Sequence, residues 1–243
     1  LLSASAFAGK TTRVSVAANE RQANGQSPYT PSISADGRYV AFVSNASNLV
    51  GADTNKVNDV FVTDLLAHKV TRVSVDSKGV QANNASWLPS ISADGRYVAF
   101  SSEASNLVVA DTNGVTDVFV YDRSTKQTTR ASIATAASQG NDDSGWNSPA
   151  ISADGRYVVF DSDATNLVIG DSNDASDVFV HDRLTKQTTR VSVASNNVQG
   201  NDNSGWNSPG ISVDGRFVTF DSEASNLVAG DSNQSADVFV HDR

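Results

Sequence analysis

The chain has 243 residues, of which 27 are acidic and 18 basic, giving a formal net charge of −9 that disfavours nucleic acid as a partner. It contains no cysteine, which excludes thiol catalysis, disulfides and zinc–thiolate sites. Charged residues make up 19% of the chain and no apolar run is long enough to cross a bilayer, so the composition indicates a folded globular protein.

The first residues have the character of a secretory signal peptide. Ala6-Phe7-Ala8 matches the small-x-small pattern that precedes signal-peptidase cleavage, and apolar residues come before it. We therefore predict that residues 1–8 are a signal-peptide remnant, that the protein is secreted or periplasmic, and that residues 9–243 form one domain. An apolar N-terminus without a targeting role is the alternative.

Four internal repeats dominate the sequence. The phrase Pro-Ser-Ile-Ser-Ala-Asp-Gly-Arg-Tyr-Val-Ala-Phe at residues 31–42 returns three times, unchanged or with small changes. Its turn aspartates, Asp36, Asp94, Asp154 and Asp214, are 58, 60 and 60 residues apart. Two other phrases, Asp-Val-Phe-Val and Thr-Arg-Val-Ser-Val, recur with the same period. The approximate repeats are residues 17–75, 76–133, 134–193, and 194–243 together with 11–16.

Each repeat predicts four strands, here called A to D. In repeat one they are residues 32–34, 39–43, 59–63 and 70–75. The Asp-Gly pair between A and B is a strong hairpin signal. Strands B and C are nearly continuous apolar runs, which is typical of strands covered on both faces. Strand D alternates polar and apolar residues, as an outer strand does.

Four antiparallel strands per repeat, in sheets covered on both faces, predict an all-β propeller with four blades. Residues 12–16 have the pattern of a strand D, and residues 237–241 that of a strand C. We therefore predict that the N-terminal strand completes the last blade and closes the ring, leaving a monomer. The alternative is an open stack or part of a larger ring, which would expose sheet surface at both terminal blades and tend to dimerise.

The repeat resembles the TolB-like, WD-like propeller repeats of bacterial exported proteins. The family hairpin is Pro-x-x-Ser-x-Asp-Gly-Arg/Lys-x-x-Ala-Phe. Repeats one and two match it fully, and repeats three and four match it except at the alanine, where Val159 and Thr219 stand. In repeat one the matching residues are Pro31, Ser34, Asp36, Gly37, Arg38, Ala41 and Phe42. The resemblance covers nearly the whole chain. It implies a propeller that binds proteins or accompanies a separate catalytic domain.

The long B–C and D–A segments fall at one end of the blades and predict a binding face. Each B–C loop carries Asp-x-Asn-x-x-x-Asp, and closely spaced Asp and Asn oxygens suit calcium, so calcium is the predicted cofactor. The candidate ligands are Asp53, Asn55, Asp59, Asp111, Asn113, Asp117, Asp171, Asn173, Asp177, Asp231, Asn233 and Asp237. The alternative is turn chemistry, in which these side chains cap loop amides.

An aromatic residue precedes strand A in every repeat: Tyr29, Trp87, Trp146 and Trp206. Such rings at the mouth of a central channel would stack on a sugar or an apolar peptide side chain. The alternative is that each ring packs on the neighbouring blade as a wedge.

No catalytic constellation is evident. His181 and His241 share one repeat position with Thr63 and Tyr121, which suggests a solvated strand end, and His68 lies in a C–D turn. No Gly-x-Ser-x-Gly elbow is present. Paired acids of a glycosidase are a third possibility, with Asp161, Asp163, Asp221 and Glu223 as candidates. The sequence favours a non-enzymatic binding or scaffold propeller, with a protein or a glycan as ligand. The alternative is a dedicated carbohydrate-binding module.

Overall fold

The computed structural model describes residue 9 and residues 11–243. This part of the chain forms four antiparallel sheets, here called blades one to four, each built in chain order. Blade one contains β1 (Ser32–Ile33), β2 (Tyr39–Ser44), β3 (Asp59–Asp64) and β4 (Lys69–Arg72). Blade two contains β5 (Ser86–Ile91), β6 (Tyr97–Ser102), β7 (Asp117–Asp122) and β8 (Gln127–Arg130).

Blade three contains β9 (Ala150–Ile151), β10 (Tyr157–Ser162), β11 (Asp177–Asp182) and β12 (Gln187–Arg190). Blade four contains β13 (Gly210–Ile211), β14 (Phe217–Ser222) and β15 (Asp237–Asp242). The all-β class and the four repeats are therefore confirmed. The predicted signal-peptide remnant at residues 1–8 lies outside the described residues. Within the described part, no helix has the length and apolar character that a membrane crossing requires.

The predicted A–B hairpin is confirmed, and its turn explains the repeated phrase. The Ser34 hydroxyl donates to the Asp36 carboxylate at 2.6 Å, and the same carboxylate oxygen accepts the Arg38 N–H at 3.0 Å. Gly37 has φ of 71°, a left-handed conformation that glycine adopts without a steric penalty. The Ser-x-Asp-Gly-Arg sequence thus fixes the turn through its own side chains.

The core lies between consecutive blades. Val60 and Val62 of blade one belong to the same buried cluster as Val98, Phe100 and Leu107 of blade two. The innermost strands of neighbouring blades also touch, β1 with β5, β5 with β9 and β9 with β13. In blades one to three, strands B and C are covered on both faces, as their almost wholly apolar sequences predict.

The two long segments of each repeat pack against each other, as the predicted long-looped face requires. In repeat three the Asn141 N–H donates to the Asn166 side chain at 3.0 Å, and the Thr165 N–H donates back to the Asn141 side chain at 2.9 Å. In repeats one, two and four the corresponding N–H donates in the same way, from Asn24 to Asn48, from Asn83 to Asn106 and from Asn201 to Asn226. Asparagine hydrogen bonds at the same repeat position therefore hold the long loops in one arrangement around the molecule.

Strand D is shorter than predicted because its end leaves the blade. β4 stops at Arg72, and the N–H groups of Val73 and Ser74 both donate to the Val60 carbonyl, at 2.8 and 3.4 Å. The Val75 carbonyl then accepts the Thr128 hydroxyl of blade two. One short segment thus completes one blade and joins the next.

The predicted closure of the ring by the N-terminal strand is not found. Within the described residues β15 pairs only with β14, and no hydrogen bond joins blade four to blade one. Residues 12–16 lie instead against repeat one, where the Val14 carbonyl accepts the Thr63 hydroxyl at 2.9 Å. The Ser15 carbonyl accepts the Ala23 N–H at 3.2 Å. These contacts hold the segment on blade one, away from the blade it was predicted to complete.

Candidate functional site

A cleft of about 830 Å³ opens between blades three and four on the long-looped face. It is formed by the links that precede these blades and by the B–C loop of blade three. Its acidic lining residues are Asp142, Asp161, Asp163 and Asp174. None of the described lining residues is basic. Trp146 and Trp206 also line the cleft, and their exposed fractions are 53% and 60%.

The two tryptophans follow glycines in the same conformation. Gly145 has φ of 74° and Gly205 has φ of 88°, which side-chain-bearing residues rarely adopt. The Gly145 N–H donates to the Asp161 carbonyl at 2.8 Å, so the link hydrogen-bonds to the end of strand B. A Cβ at position 145 would lie 2.5 Å from the Val118 side chain, so only glycine allows this close approach. The Ser-Gly-Trp sequence therefore anchors the link and leaves the next ring in solvent.

Asp161 forms the floor of the cleft and is only 3% exposed. Its carboxylate accepts the Asn147 backbone N–H at 3.2 Å and the Asn147 side-chain amide at 3.3 Å. The same amide donates to the Gly205 carbonyl at 2.9 Å, which joins the links of the two blades. Burial raises the pKa of Asp161 to about 7, and the Asn147 hydrogen bonds oppose that rise.

The raised pKa of Asp161 predicts a specific pH dependence of stability. Since the folded protein holds this proton up to about pH 7 and the unfolded chain releases it near pH 4, stability decreases as pH rises between those values. Between pH 5 and pH 7, the free energy of unfolding of the wild type should therefore fall by about 2 kcal/mol more than that of Asp161→Asn. Urea unfolding of both proteins at the two pH values measures it. If the free energy of unfolding changed equally with pH in both proteins, Asp161 would be ionised in the folded state over this pH range.

The other two predicted aromatic residues lie elsewhere. Trp87 belongs to β5 and packs, partly buried, against the core between blades one and two. Tyr29 is exposed in the link of repeat one, and neither ring lines the cleft. The structure therefore brings together two of the four aromatic residues, while Trp87 packs as the wedge alternative predicted.

In blades one to three, an arginine of strand D lies between the two aspartates of each predicted calcium loop. Arg130 is 2.9 Å from Asp111 and 3.5 Å from Asp117. Arg72 is 3.3 Å from both Asp53 and Asp59. Arg190 is 3.0 Å from Asp171 and 2.9 Å from Asp177. These side chains are almost fully buried, so the guanidinium supplies the positive charge that calcium was predicted to supply.

In blades one to three, the second aspartate of each loop also accepts from a serine and from the loop asparagine. The Ser132 hydroxyl donates to Asp117 at 2.6 Å, and the Asn113 amide donates to it at 3.1 Å. Burial raises the pKa of Asp117, and Arg130 opposes that rise. In blade four, Asp237 accepts the Asn233 amide at 2.9 Å, and no arginine pairs with it within the described residues.

Calcium binding remains a prediction. No group of three or more acidic or histidine side chains in the described part is arranged around a metal-sized position. Asn55, Asn113 and Asn173 point their amide nitrogens, which are donors, at the aspartates. Within the described residues of a single chain, the loop with Asp231, Asn233 and Asp237 is the one whose carboxylates have no arginine partner.

The histidines form no catalytic pair in the described residues. His181 is buried, contrary to the solvated position predicted for it, and its Nδ1 lies 2.9 Å from the Thr188 hydroxyl. Burial lowers the pKa of His181 to about 4, because the charged ring would lose its hydration. His181 lies beside residues of blade two, such as Ile133 and Ala134. The different residue types at this repeat position did not indicate that it would be buried. His68 occupies an exposed turn.

Comparison with solved structures identifies the fold. Solved structures that match include TolB from Acinetobacter baumannii, with 20% identity, a TM-score of 0.52, and coverage of 89% of this chain and 41% of that one. The propeller domain of the Trilobed protease from Pyrococcus furiosus matches with 13% identity, a TM-score of 0.52, and coverage of 91% and 56%. These likenesses show a β-propeller fold. The TolB-like resemblance predicted from the hairpin is thus confirmed as a likeness of fold.

The putative TolB from Agrobacterium tumefaciens gives the same result, with 15% identity, a TM-score of 0.51, and coverage of 86% of this propeller and 59% of that chain. The propeller thus spans about half the length of the solved structures it matches. No family model and no curated protein matches its sequence. The Pyrococcus propeller domain is described as having an open velcro topology.

Proposed function

We propose that this protein is a non-enzymatic binding propeller whose cleft between blades three and four holds a carbohydrate. The observation that carries the proposal is the pair of exposed indole rings, Trp146 and Trp206, on one polar cleft. Exposed aromatic faces stack on the apolar faces of sugar rings. Polar side chains around them, such as Asn203 and Thr165, supply hydrogen bonds to hydroxyl groups.

The charge of the cleft narrows the ligand class. Three exposed aspartates, Asp142, Asp163 and Asp174, line it above the buried Asp161, and no lysine or arginine does so within the described residues. A sulfated, phosphorylated or uronic acid sugar would be repelled, because like charges at close range cost several kcal/mol. Neutral oligosaccharides and amino sugars fit this lining.

A binding role fits the cleft better than hydrolysis does. A glycosidase needs two carboxyl groups that reach the glycosidic bond from either side. Asp161, which has the raised pKa expected of an acid, lies buried under the cleft with both carboxylate oxygens accepting from Asn147. It therefore positions the links of blades three and four rather than contacting a ligand.

A glycan array tests the proposal. We expect the protein to bind neutral or amino glycans, and Trp146→Ala and Trp206→Ala each to weaken binding at least tenfold, which corresponds to 1.4 kcal/mol. Because both rings are exposed, the melting temperature should hardly change. Tyr29→Ala is the matched control, since Tyr29 is equally exposed outside the cleft. Unchanged binding in both tryptophan variants, preference for acidic glycans, or binding of protein ligands alone would contradict the proposal.

A further inference from the structure

Blade four carries an unpaired strand edge and an exposed apolar face. Val238 and Val240 of β15 are 81% and 66% exposed, and Phe217 of β14 is also exposed. Their equivalents in blade three, Val178 and Val180, are fully buried beneath blade four. An exposed apolar sheet face next to a free strand edge is a binding surface for another strand and another blade.

The edge of β15 also lacks the polar groups that complete the other blades. In blade three, Ser192 donates to Asp177 at 2.5 Å, and Arg190 donates to it at 2.9 Å. The equivalent Asp237 accepts only from Asn233 within the described residues. A strand carrying arginine and serine two residues apart would supply both missing contacts.

Residues 11–16 have the sequence of such a strand. Their sequence, Thr-Thr-Arg-Val-Ser-Val, is identical to residues 188–193 of blade three. By this alignment Arg13 corresponds to Arg190 and Ser15 to Ser192. Arg13 is exposed in the structure.

The following residues already have the backbone conformation of a connection between blades. The Val16 N–H donates to the Val14 carbonyl at 3.0 Å, as Val75 does to Val73 at 2.9 Å between blades one and two. The Ala23 N–H donates to Ser15 at 3.2 Å, as Ala82 does to the carbonyl of Ser74 at 3.0 Å. The segment is therefore shaped to join two blades, while only blade one lies beside it.

A second pair of residues, one on blade four and one on blade one, has complementary side chains. At the joints between blades, an arginine of the later blade lies over a tyrosine of the earlier one: Arg123 over Tyr39 at 4.1 Å, Arg183 over Tyr97 at 4.3 Å and Arg243 over Tyr157 at 4.1 Å. Blade four has Phe217 at the tyrosine position, and blade one has Leu65 at the arginine position. Both partners change together from a cation–aromatic pair to an apolar pair.

We propose that blade four of one copy docks on blade one of a second copy, with residues 11–16 of the second copy pairing along β15. Arg13 then lies between Asp231 and Asp237, and Ser15 donates to Asp237. The strand comes from a second copy because, in the single chain, residues 14–23 are held on blade one and do not reach β15. Two such joints close a two-fold dimer with eight blades, within the range of known propellers.

Sedimentation of matched variants tests the dimer. We expect the wild type to have twice the chain mass of 25.5 kDa, and Val238→Asp to be a folded monomer. Val109→Asp, at a 98% exposed position away from this face, should stay dimeric.

Gly37→Ala should also give monomers. The Cβ of this alanine meets nothing within 4 Å in the single chain, whereas the equivalent Cβ at Gly155 would meet the Tyr97 ring of the preceding blade. Gly114→Ala, with the same φ of 71° in an open loop, is its control.

Cysteine cross-linking identifies the source of the strand, since the chain has no cysteine of its own. Val180 pairs with Thr189 in blade three, so Val240→Cys and Thr12→Cys should lie opposite each other. A mixture of the two single variants should form a covalent dimer under mild oxidation. A cross-link found only within single chains of the double variant would overturn the proposal in favour of a closed four-blade monomer. Monomers with no cross-link of either kind would overturn it outright.

Discussion

Arg130→Met is expected to lower the free energy of unfolding by about 3–5 kcal/mol, because it leaves two buried carboxylates without their cation. Arg130 pairs with Asp111 and Asp117, and all three side chains are almost fully buried. For a chain of this size the loss corresponds to a decrease in melting temperature of roughly 10 °C. Calorimetry or circular dichroism would measure it.

Arg96→Met is the control within the same blade. Arg96 makes a bidentate pair with Asp122, at 2.9 and 2.7 Å, but its side chain is 41% exposed. Water screens the Arg96 side of the pair, and the Ser124 and Thr125 N–H groups still donate to Asp122 when Arg96 is replaced, so the loss should cost only about 1 kcal/mol. Equal destabilisation by the two variants would mean that burial of the Arg130 cluster is unimportant.

Melting curves of the wild type, recorded with calcium and with a chelator, test the calcium prediction. Calcium bound in the loops must raise the melting temperature of the wild type.

Gly155→Ala is expected to cost about 2–5 kcal/mol, as the sum of a strained backbone and an overfilled joint. Gly155 has φ of 73°, and a Cβ there would lie 2.0 Å from the Tyr97 ring. The ring has no room to move, because Arg96 and Arg183 lie 4.7 and 4.3 Å from its centroid. Urea unfolding measures the loss.

Gly114→Ala separates the two causes of that loss. Gly114 has φ of 71°, but a Cβ there meets nothing within 4 Å. It should therefore show the backbone strain alone, about 1–2 kcal/mol. If the two variants were equally unstable, the contact between Gly155 and Tyr97 would contribute nothing to the joint.

Much of the fold was predictable because each repeat contains the residues that form its own turns and strands. The Ser-x-Asp-Gly-Arg turn is closed by bonds within five residues, so the hairpin of β1 and β2 follows from local sequence alone. Strand D was predicted too long, since its alternating pattern continues to Val75 while its last residues join the next blade. Ring closure by residues 12–16 is not confirmed, because strand counting does not say which blade holds this segment.

The candidate site was harder to predict, because its contacts cross between repeats. The aspartates of the B–C loops were interpreted without Arg72, Arg130 and Arg190, although these arginines recur with the same period. That shared period was the available signal that the charges pair. Trp87 lies two residues before Pro89, whereas Trp146 lies three before Pro149 and follows a glycine with positive φ. This local difference separates the partly buried ring from the exposed one.

The tryptophan fluorescence of a Trp87→Phe variant, excited where tyrosine does not absorb, tests the proposed cleft most directly, because Trp146 and Trp206 are then the remaining tryptophans. The variant is titrated with the neutral glycan that binds most tightly on the array and, separately, with an acidic glycan of the same length. The account predicts a saturable change in intensity and emission wavelength with the neutral glycan and none with the acidic one. Unchanged emission at glycan concentrations that saturate binding would place the glycan elsewhere and contradict the account.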